Sequence, residues 1–161
     1  MLEAKNFKKF EEIVETKPNI INGLRGGRFN WTLLMWAALN ERLDIFQHIV
    51  SSYEQDVSVV DDLHQNVFHF IADYCPDDMA IEMMTLVDQH QKVPWNDVLN
   101  QQDYIKDTPL HKAARYNRHK TIRFLLDKGA DCEVRNEDNE RPDELPGCDV
   151  ETKRIIRQYR K

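Results

Sequence analysis

The sequence lacks the features of several large protein classes. No apolar run approaches the roughly 18 residues that a membrane span needs, and the N-terminus has no apolar stretch typical of a secretory signal. Only three of 161 residues are cysteines, too few and too widely spaced for a disulfide framework or a four-cysteine zinc site. Five glycines, six prolines and no low-complexity tract leave no obvious flexible linker. We therefore expect one intracellular domain, cytoplasmic or nuclear, that inserts into no membrane.

A basic surplus is also missing. The 22 lysines and arginines face 28 acidic residues, for a net charge of −6, and the acidic residues are spread along the chain. Nucleic-acid binders normally carry excess positive charge, so nucleic acid is not an expected partner. The exception is a basic C-terminal run, which we interpret as the solvated face of a capping helix; a patch for nucleic acid or acidic lipid is the alternative. The run comprises Lys153, Arg154, Arg157, Arg160 and Lys161.

The sequence does contain an internal repeat. Residues 107–114 read Asp-Thr-Pro-Leu-His-Lys-Ala-Ala and lead through an apolar stripe to Gly-Ala-Asp at 129–131. The same positions of the repeat are occupied by residues 32–38 and 66–72. In a last copy, Arg141-Pro142 occupies the positions of Thr108-Pro109. The first slot recurs after 34, 42 and 33 residues, at Thr32, Asn66, Thr108 and Arg141.

This pattern resembles the ankyrin repeat, whose unit of about 33 residues is a β-turn followed by two antiparallel helices. Residues 103–136 match nearly the whole motif, and the resemblance covers essentially the full chain. It implies an all-α solenoid of stacked helix-turn-helix units with hairpin tips, stabilised by contacts between neighbouring units. We predict one domain of five parts: an N-terminal capping half-repeat over 1–27, repeats over 28–60, 61–102 and 103–135, and a C-terminal capping repeat over 136–161.

The chain departs from the ankyrin pattern in two ways. The glycine slot of the turn holds Asn30, His64, Lys106 and Asn139. Asparagine tolerates a left-handed backbone, but histidine and lysine do so poorly, so strained or altered tips are expected. The repeat over 61–102 also carries roughly 8 or 9 extra residues, which we place between Cys75 and Val98. They either lengthen the second helix, 79–90, or bulge around Pro94-Trp95.

Residues that could suggest catalysis or metal binding have plainer interpretations. His69 and His111 fill the histidine slot of the repeat, where a hydrogen bond to the turn of the adjacent unit is expected. His64, His69 and Cys75 lack the spacing of a zinc site. The sequence has no phosphate-binding glycine loop, nucleophile elbow or metalloprotease helix. We therefore expect no enzyme, no small-molecule substrate, no metal and no cofactor.

Two features of residues 77–84 also have structural interpretations. Asp77-Asp78 predicts the N-cap region of a helix that begins near Met79, because negative charge is favourable at a helix N-terminus. Met79, Met83 and Met84 share one helical face, which predicts core packing, although methionine-rich surfaces also bind partners.

The resemblance places a partner-binding groove on the concave side of the stack, formed by the turn tips and the ends of the first helices. These slots hold five aromatic side chains and two arginines, residue types that are enriched in binding hot spots. The alternative is that Phe29 and Trp31 fill the N-terminal cap and that the tyrosines merely flank helices. The predicted partner-binding residues are Arg28, Phe29, Trp31, Leu63, Tyr74, Tyr104, Ile105, Arg115, Tyr116, Glu137 and Asp138.

The sequence thus favours a non-catalytic protein-interaction module, an adaptor, inhibitor or scaffold, that binds a protein through its concave face. The acidic tips of the last unit predict basic side chains on that partner. The alternative is a subunit or fragment of a larger regulatory assembly, such as a transcription regulator or a pathogen effector, that docks through its N-terminal edge. Counting back from Thr32 places the first helix of the first unit before Met1. The long repeat over 61–102, which runs into residues 100–103, is similar to the ankyrin segment of fungal cell-cycle transcription regulators.

Overall fold

The computed structural model describes residues 25–26 and 28–160. The predicted capping half-repeat over 1–27, the N-terminal docking edge and Lys161 therefore lie wholly or almost wholly outside the described residues. Below, residues 28–60, 61–102 and 103–135 are called the first, second and third repeats, and 136–160 is called the C-terminal cap.

The described chain opens with a short hairpin and continues as helices. Strand β1 (Arg25–Gly26) pairs antiparallel with β2 (Trp31–Thr32). The helices of the described residues are α1 (Leu33–Leu39), α2 (Leu43–Ser52), α3 (Val67–Tyr74), α4 (Asp77–His90), α5 (Trp95–Leu99), α6 (Pro109–Arg115), α7 (His119–Asp127), a 3-10 turn (Pro142–Glu144) and α8 (Val150–Tyr159).

The helices form two layers. The first helices of the repeats, α1, α3 and α6, pack on one another in order, and α6 packs on the 3-10 turn of the cap. The second helices, α2, α4, α7 and α8, pack in the same order beside them. The predicted all-α stack of helix pairs is confirmed.

The first helix of each repeat, which we also call its inner helix, begins at a polar residue of the repeat motif. The Thr32 hydroxyl accepts a hydrogen bond from the Met35 amide at 3.2 Å, and the Asn66 side chain accepts one from the Phe68 amide at 3.0 Å. In α6, Pro109 occupies the first turn, where the missing N–H costs nothing. These caps satisfy amides that a helix start leaves open.

The core lies between the two layers. Small residues such as Ala37, Ala72 and Ala113 are fully buried on the inner helices and let their neighbours approach closely. Met83 and Met84 are fully buried and Met79 packs against the same core, which confirms that the methionines are core residues.

The glycine slots adopt the left-handed backbone that the motif demands. The φ angles are 61° at Asn30, 59° at His64, 60° at Lys106 and 62° at Asn139. The tips are therefore not altered, and the two residues that tolerate this conformation poorly, His64 and Lys106, hold it at a cost of about 1 kcal/mol each. Glu41 and Asn117 also have positive φ, at the turns between paired helices, which the sequence did not indicate.

The extra residues of the second repeat form both of the expected features. Helix α4 has 14 residues against 9 in α7, and α5 is an additional helix. The Trp95 ring packs on Phe68 at 5.3 Å and on Phe124 at 6.0 Å between ring centroids. Helix α5 is thus packed against both the second and the third repeat.

The acidic pair before Met79, Asp77 and Asp78, contacts two helices, its own helix α4 and the second helix of the next repeat. Helix α4 begins at Asp77, after Pro76 at the N-cap position. The Asp77 carboxylate accepts hydrogen bonds from the amides of Lys120 (2.9 Å) and Thr121 (2.8 Å), which open α7. Both aspartates lie in the first turn of α4, as the prediction of negative charge at this helix N-terminus requires. Asp77 also caps the second helix of the next repeat, which was not predicted.

Candidate protein-binding face

The turn tips of successive repeats are joined into a row by backbone hydrogen bonds. In each bond, an amide of one tip donates to a carbonyl of the tip before it. The bonds run from Asp62 N to Phe29 O (3.0 Å), Tyr104 N to Leu63 O (3.0 Å) and Glu137 N to Ile105 O (2.9 Å). We call the surface formed by these tips and the inner helices the inner face; it corresponds to the predicted concave side.

A second set of cross-repeat bonds comes from the histidine slot. His69 Nε2 lies 3.1 Å from the Asp107 carbonyl, and His111 Nε2 lies 3.2 Å from the Glu140 carbonyl. The Nδ1 atoms accept from the amides of Asn66 and Thr108, so each Nε2 carries the proton and donates it. The predicted hydrogen bond from histidine to the adjacent turn is confirmed.

Both histidines are held neutral by their surroundings. Burial lowers the pKa of His69 to about 4, and burial also lowers the pKa of His111. A neutral ring is the form that offers one donor and one acceptor. Their role is structural.

Aromatic rings line the first half of the inner face. Phe29 lies 6.2 Å from Trp31, Trp31 lies 5.9 Å from Phe70, and Phe70 lies 5.7 Å from Tyr74 between ring centroids. Phe29 and Trp31 are half-buried and Phe70 is buried. Sequence reasoning missed Phe70, although its position directly after the histidine slot was a usable signal.

The three tyrosines of the predicted set are exposed. The exposed fraction is 44% for Tyr74, 59% for Tyr104 and 53% for Tyr116. The Arg118 guanidinium lies 5.5 Å from the Tyr116 ring centroid. Burial of part of the ring raises the pKa of Tyr74, and the neighbouring Asp73 charge raises it further.

Ion pairs fill the second half of the inner face. Lys112 Nζ lies 2.8 Å from Asp103 Oδ2 and 3.4 Å from Asp107 Oδ2, and Arg115 binds Asp107 at 2.7 Å. Burial acts to lower the pKa of Lys112, but the Asp103 and Asp107 charges outweigh it and raise that pKa. Arg115 is half-buried and forms an ion pair with Asp107. This ion pair restrains the buried side chains beneath the inner face, which we call its floor.

In the turns of the second repeat, the third repeat and the C-terminal cap, one aspartate or asparagine side chain accepts a hydrogen bond from the backbone amide four residues later. We call this hydrogen bond the clamp; sequence reasoning did not identify it. Asp61 Oδ1 accepts from the Gln65 amide at 2.8 Å, and Asp103 Oδ1 accepts from the Asp107 amide at 2.9 Å. Asn136 does the same in the cap, accepting from the Glu140 amide at 3.0 Å. Either aspartate or asparagine serves, because only one acceptor oxygen is required.

The remaining predicted residues differ in exposure. Leu63 and Ile105 are half-buried beneath the tips. Arg28, Glu137 and Asp138 are exposed, and the Arg28 guanidinium lies 5.5 Å from the Phe29 ring centroid. Within residues 28–160, neither Glu137 nor Asp138 forms an ion pair.

The basic C-terminal run is partly neutralised by nearby carboxylates. Arg157 and Arg160 bind the buried Asp143 at 2.9 Å and 2.6 Å, and Arg154 binds Glu151 at 2.6 Å. These pairs tie α8 to the 3-10 turn and to its own first turn.

The described part of the chain carries neither a membrane-spanning helix nor a metal site. It contains no helix that is both long and apolar enough to cross a membrane. It also brings no three histidine, cysteine, aspartate or glutamate side chains together in a metal-binding group. Cys75, Cys132 and Cys148 are free thiols and buried.

Comparison with known proteins identifies the family. The family described as Ankyrin repeats (3 copies) matches residues 34–136. The chain belongs to the ankyrin repeat family. A fowlpox virus (strain NVSL) protein named as an ankyrin repeat protein, FPV230, is 27% identical over 158 residues, covering 83% of this chain and 81% of that protein. Ankyrin repeats are generally protein–protein interaction modules and are typically not enzymatic.

Proposed function

We propose that this chain is a non-catalytic module that binds one protein partner through its inner face. The supporting observation is where its exposed aromatic rings lie. Five large hydrophobic side chains are exposed among the described residues, and three of them, Tyr74, Tyr104 and Tyr116, lie on this face. Tyrosine is enriched in binding hot spots, because it offers large contact area at low entropic cost.

The frame behind these rings favours rigid capture of the partner. Backbone bonds between tips and histidine bonds between repeats fix the spacing of the inner helices. A preformed surface loses less conformational freedom on binding, so more of the contact energy appears as affinity.

Charge indicates the chemistry of the partner. Asp62, Glu137 and Asp138 are exposed on the row of tips, and the chain carries a net charge of −6. A partner with basic side chains along the contact would therefore be favoured in both steering and register.

The test is a double substitution, Tyr104→Ala with Tyr116→Ala. A partner captured from the host is identified by mass spectrometry, and its affinity for purified variants is then measured by calorimetry. We expect the affinity to fall more than about tenfold, while the melting temperature stays within the error of the wild-type value, because both rings are largely exposed. Trp31→Ala is a poor test variant, because Trp31 packs on Phe70.

The matched control is Val150→Ala with Tyr159→Ala, which removes two exposed apolar side chains from α8, away from the inner face. It should leave the affinity unchanged. Equal losses in both double variants, or no loss in either, would contradict binding through the inner face.

A further inference from the structure

The second and third repeats differ at one carboxylate beneath the inner face. In the third repeat, Asp103 Oδ2 is bound by Lys112 Nζ at 2.8 Å. Asp61 holds the same slot in the second repeat and is 4% exposed, but its Oδ2 meets no hydrogen-bond donor among the described residues. The residue in the Lys112 slot there is Phe70. The second repeat therefore buries a carboxylate without the cation that its neighbour supplies.

The surroundings of Asp61 are aromatic. Trp31 and Tyr74 flank Phe70, with ring centroids 5.9 and 5.7 Å from it. The Trp31 side chain lies near enough to Asp61 to act on the carboxylate, and the Asp61 charge in turn acts on the Tyr74 hydroxyl. Trp31 and Tyr74, the two rings that flank Phe70, therefore both lie close to the Asp61 carboxylate.

Ionisation of Asp61 is unfavourable in this setting. Burial raises the pKa of Asp61, and the adjacent Asp62 charge acts in the same direction, while the Gln65 and Leu63 amides and the polar N–H of the Trp31 side chain oppose them. A buried charge of this kind is relieved by an opposite charge. Within the described residues, no lysine or arginine forms an ion pair with Asp61.

We propose that Asp61, walled by Trp31, Phe70 and Tyr74, receives a lysine or arginine side chain of the protein partner, which binds Asp61 as Lys112 binds Asp103. The inference rests on the proposed function and names the chemistry of one contact. The aliphatic stem of the basic side chain packs along the rings, and its charged head gains both the carboxylate and the ring faces.

Entry requires movement of one side chain. Asp61 Oδ2 is itself covered, whereas Tyr74 is 44% exposed and sits at the C-terminal end of α3. In the proposed complex this ring rotates about its side-chain bonds to admit the basic side chain of the partner.

The probe for this pocket is n-butylammonium, which has the stem and head of a lysine, with uncharged n-butanol as its match. Binding is followed on the full chain by NMR through the Trp31 indole N–H, at constant ionic strength. The key variant is Asp61→Asn, which keeps the Oδ1 acceptor of the clamp, as Asn136 shows in the cap. Phe70→Lys is a second variant that supplies the cation from within.

We expect saturable, millimolar binding of n-butylammonium, at least about tenfold weaker in Asp61→Asn and in Phe70→Lys, and no saturable binding of n-butanol. Equal affinity in the wild type and Asp61→Asn would overturn the inference. If Phe70→Lys does not fold, Asp61→Asn alone decides.

Measuring how the variants bind the protein partner distinguishes this inference from the proposed function. Asp61→Asn should weaken partner binding at least about tenfold. If Tyr104→Ala with Tyr116→Ala abolishes partner binding but Asp61→Asn leaves it unchanged, the basic contact is overturned and the interaction face stands. If the tyrosine variant binds the partner normally, the proposed function fails, whatever n-butylammonium does.

Discussion

The turn and histidine slot of the second and third repeats form the same hydrogen bonds, but the side chains buried beside them differ. Both hold a left-handed residue at the tip, both clamp the turn with an aspartate, and both send a histidine to the next carbonyl. Yet the residue after the histidine is Phe70 in one and Lys112 in the other. In the second repeat an aromatic cluster results, and in the third a buried ion-pair network. The repeat thus fixes hydrogen bonds at set positions and leaves the floor of the inner face free to vary.

The largest effect should come from breaking the network of the third repeat. Lys112→Ala leaves the Asp103 and Asp107 side chains, neither exposed, with fewer opposing charges. Removing one partner of a buried pair costs about 3–5 kcal/mol, so we expect a loss of that size in urea unfolding. The exposed Lys120, paired with Asp78, provides the control, since an ion pair at the surface contributes little and Lys120→Ala should leave the stability nearly unchanged. Similar losses in both variants would show that the network contributes no more than a surface pair.

An intermediate effect should appear on acidification, through the histidine slot. The pKa of His69 is lowered from 6.5 to about 4, so between these values the unfolded chain takes up a proton that the folded chain refuses. Stability is therefore lost as the pH falls through this window. From about pH 7.5 to pH 5, His69 should account for roughly 2 kcal/mol.

The measurement is urea unfolding of the wild type and His69→Gln at both pH values. The variant should lose less stability on acidification than the wild type. A His69→Gln profile parallel to that of the wild type would mean that folding does not lower the pKa of His69.

The smallest change in stability should come from replacing the two clamp aspartates by asparagine, and it should have opposite signs in the second and third repeats. Asp61→Asn removes a buried charge without a cation and should stabilise the chain by about 1 kcal/mol. Asp103→Asn removes the partner of Lys112 and should destabilise it by at least as much. Both variants keep the clamp, so melting curves at neutral pH compare the charges alone. Changes of the same sign would remove the distinction between the two carboxylates.

Much of the frame was predictable, because it depends on local slots. The cap residues, the histidine at 69 or 111 and the left-handed Asn30 and Asn139 follow from residue type and spacing along the chain. The left-handed His64 and Lys106 follow from spacing alone. The left-handed Glu41 was not indicated, since glutamate carries no preference for that conformation.

The buried contacts were harder to predict, because each joins side chains from two different helices or turns. Nothing local to Asp77 shows that its carboxylate caps α7, some 40 residues later. The contrast between Asp61 and Asp103 likewise depends on which side chain the following inner helix brings over each carboxylate. The exposed tyrosines were identified from their slots, whereas Phe70 and Lys112 emerged only with the packing.

Helix α5 has a consequence for how the molecule comes apart. A stack of repeats behaves as a line of units coupled to nearest neighbours, and it unravels from whichever joint is weakest. Trp95 spans the joint between the second and third repeats by contacting Phe68 and Phe124, and Lys128 closes over it while binding Asp88. These contacts strengthen the joint between the second and third repeats. Hydrogen exchange of backbone amides should therefore show these two repeats opening as one cooperative unit.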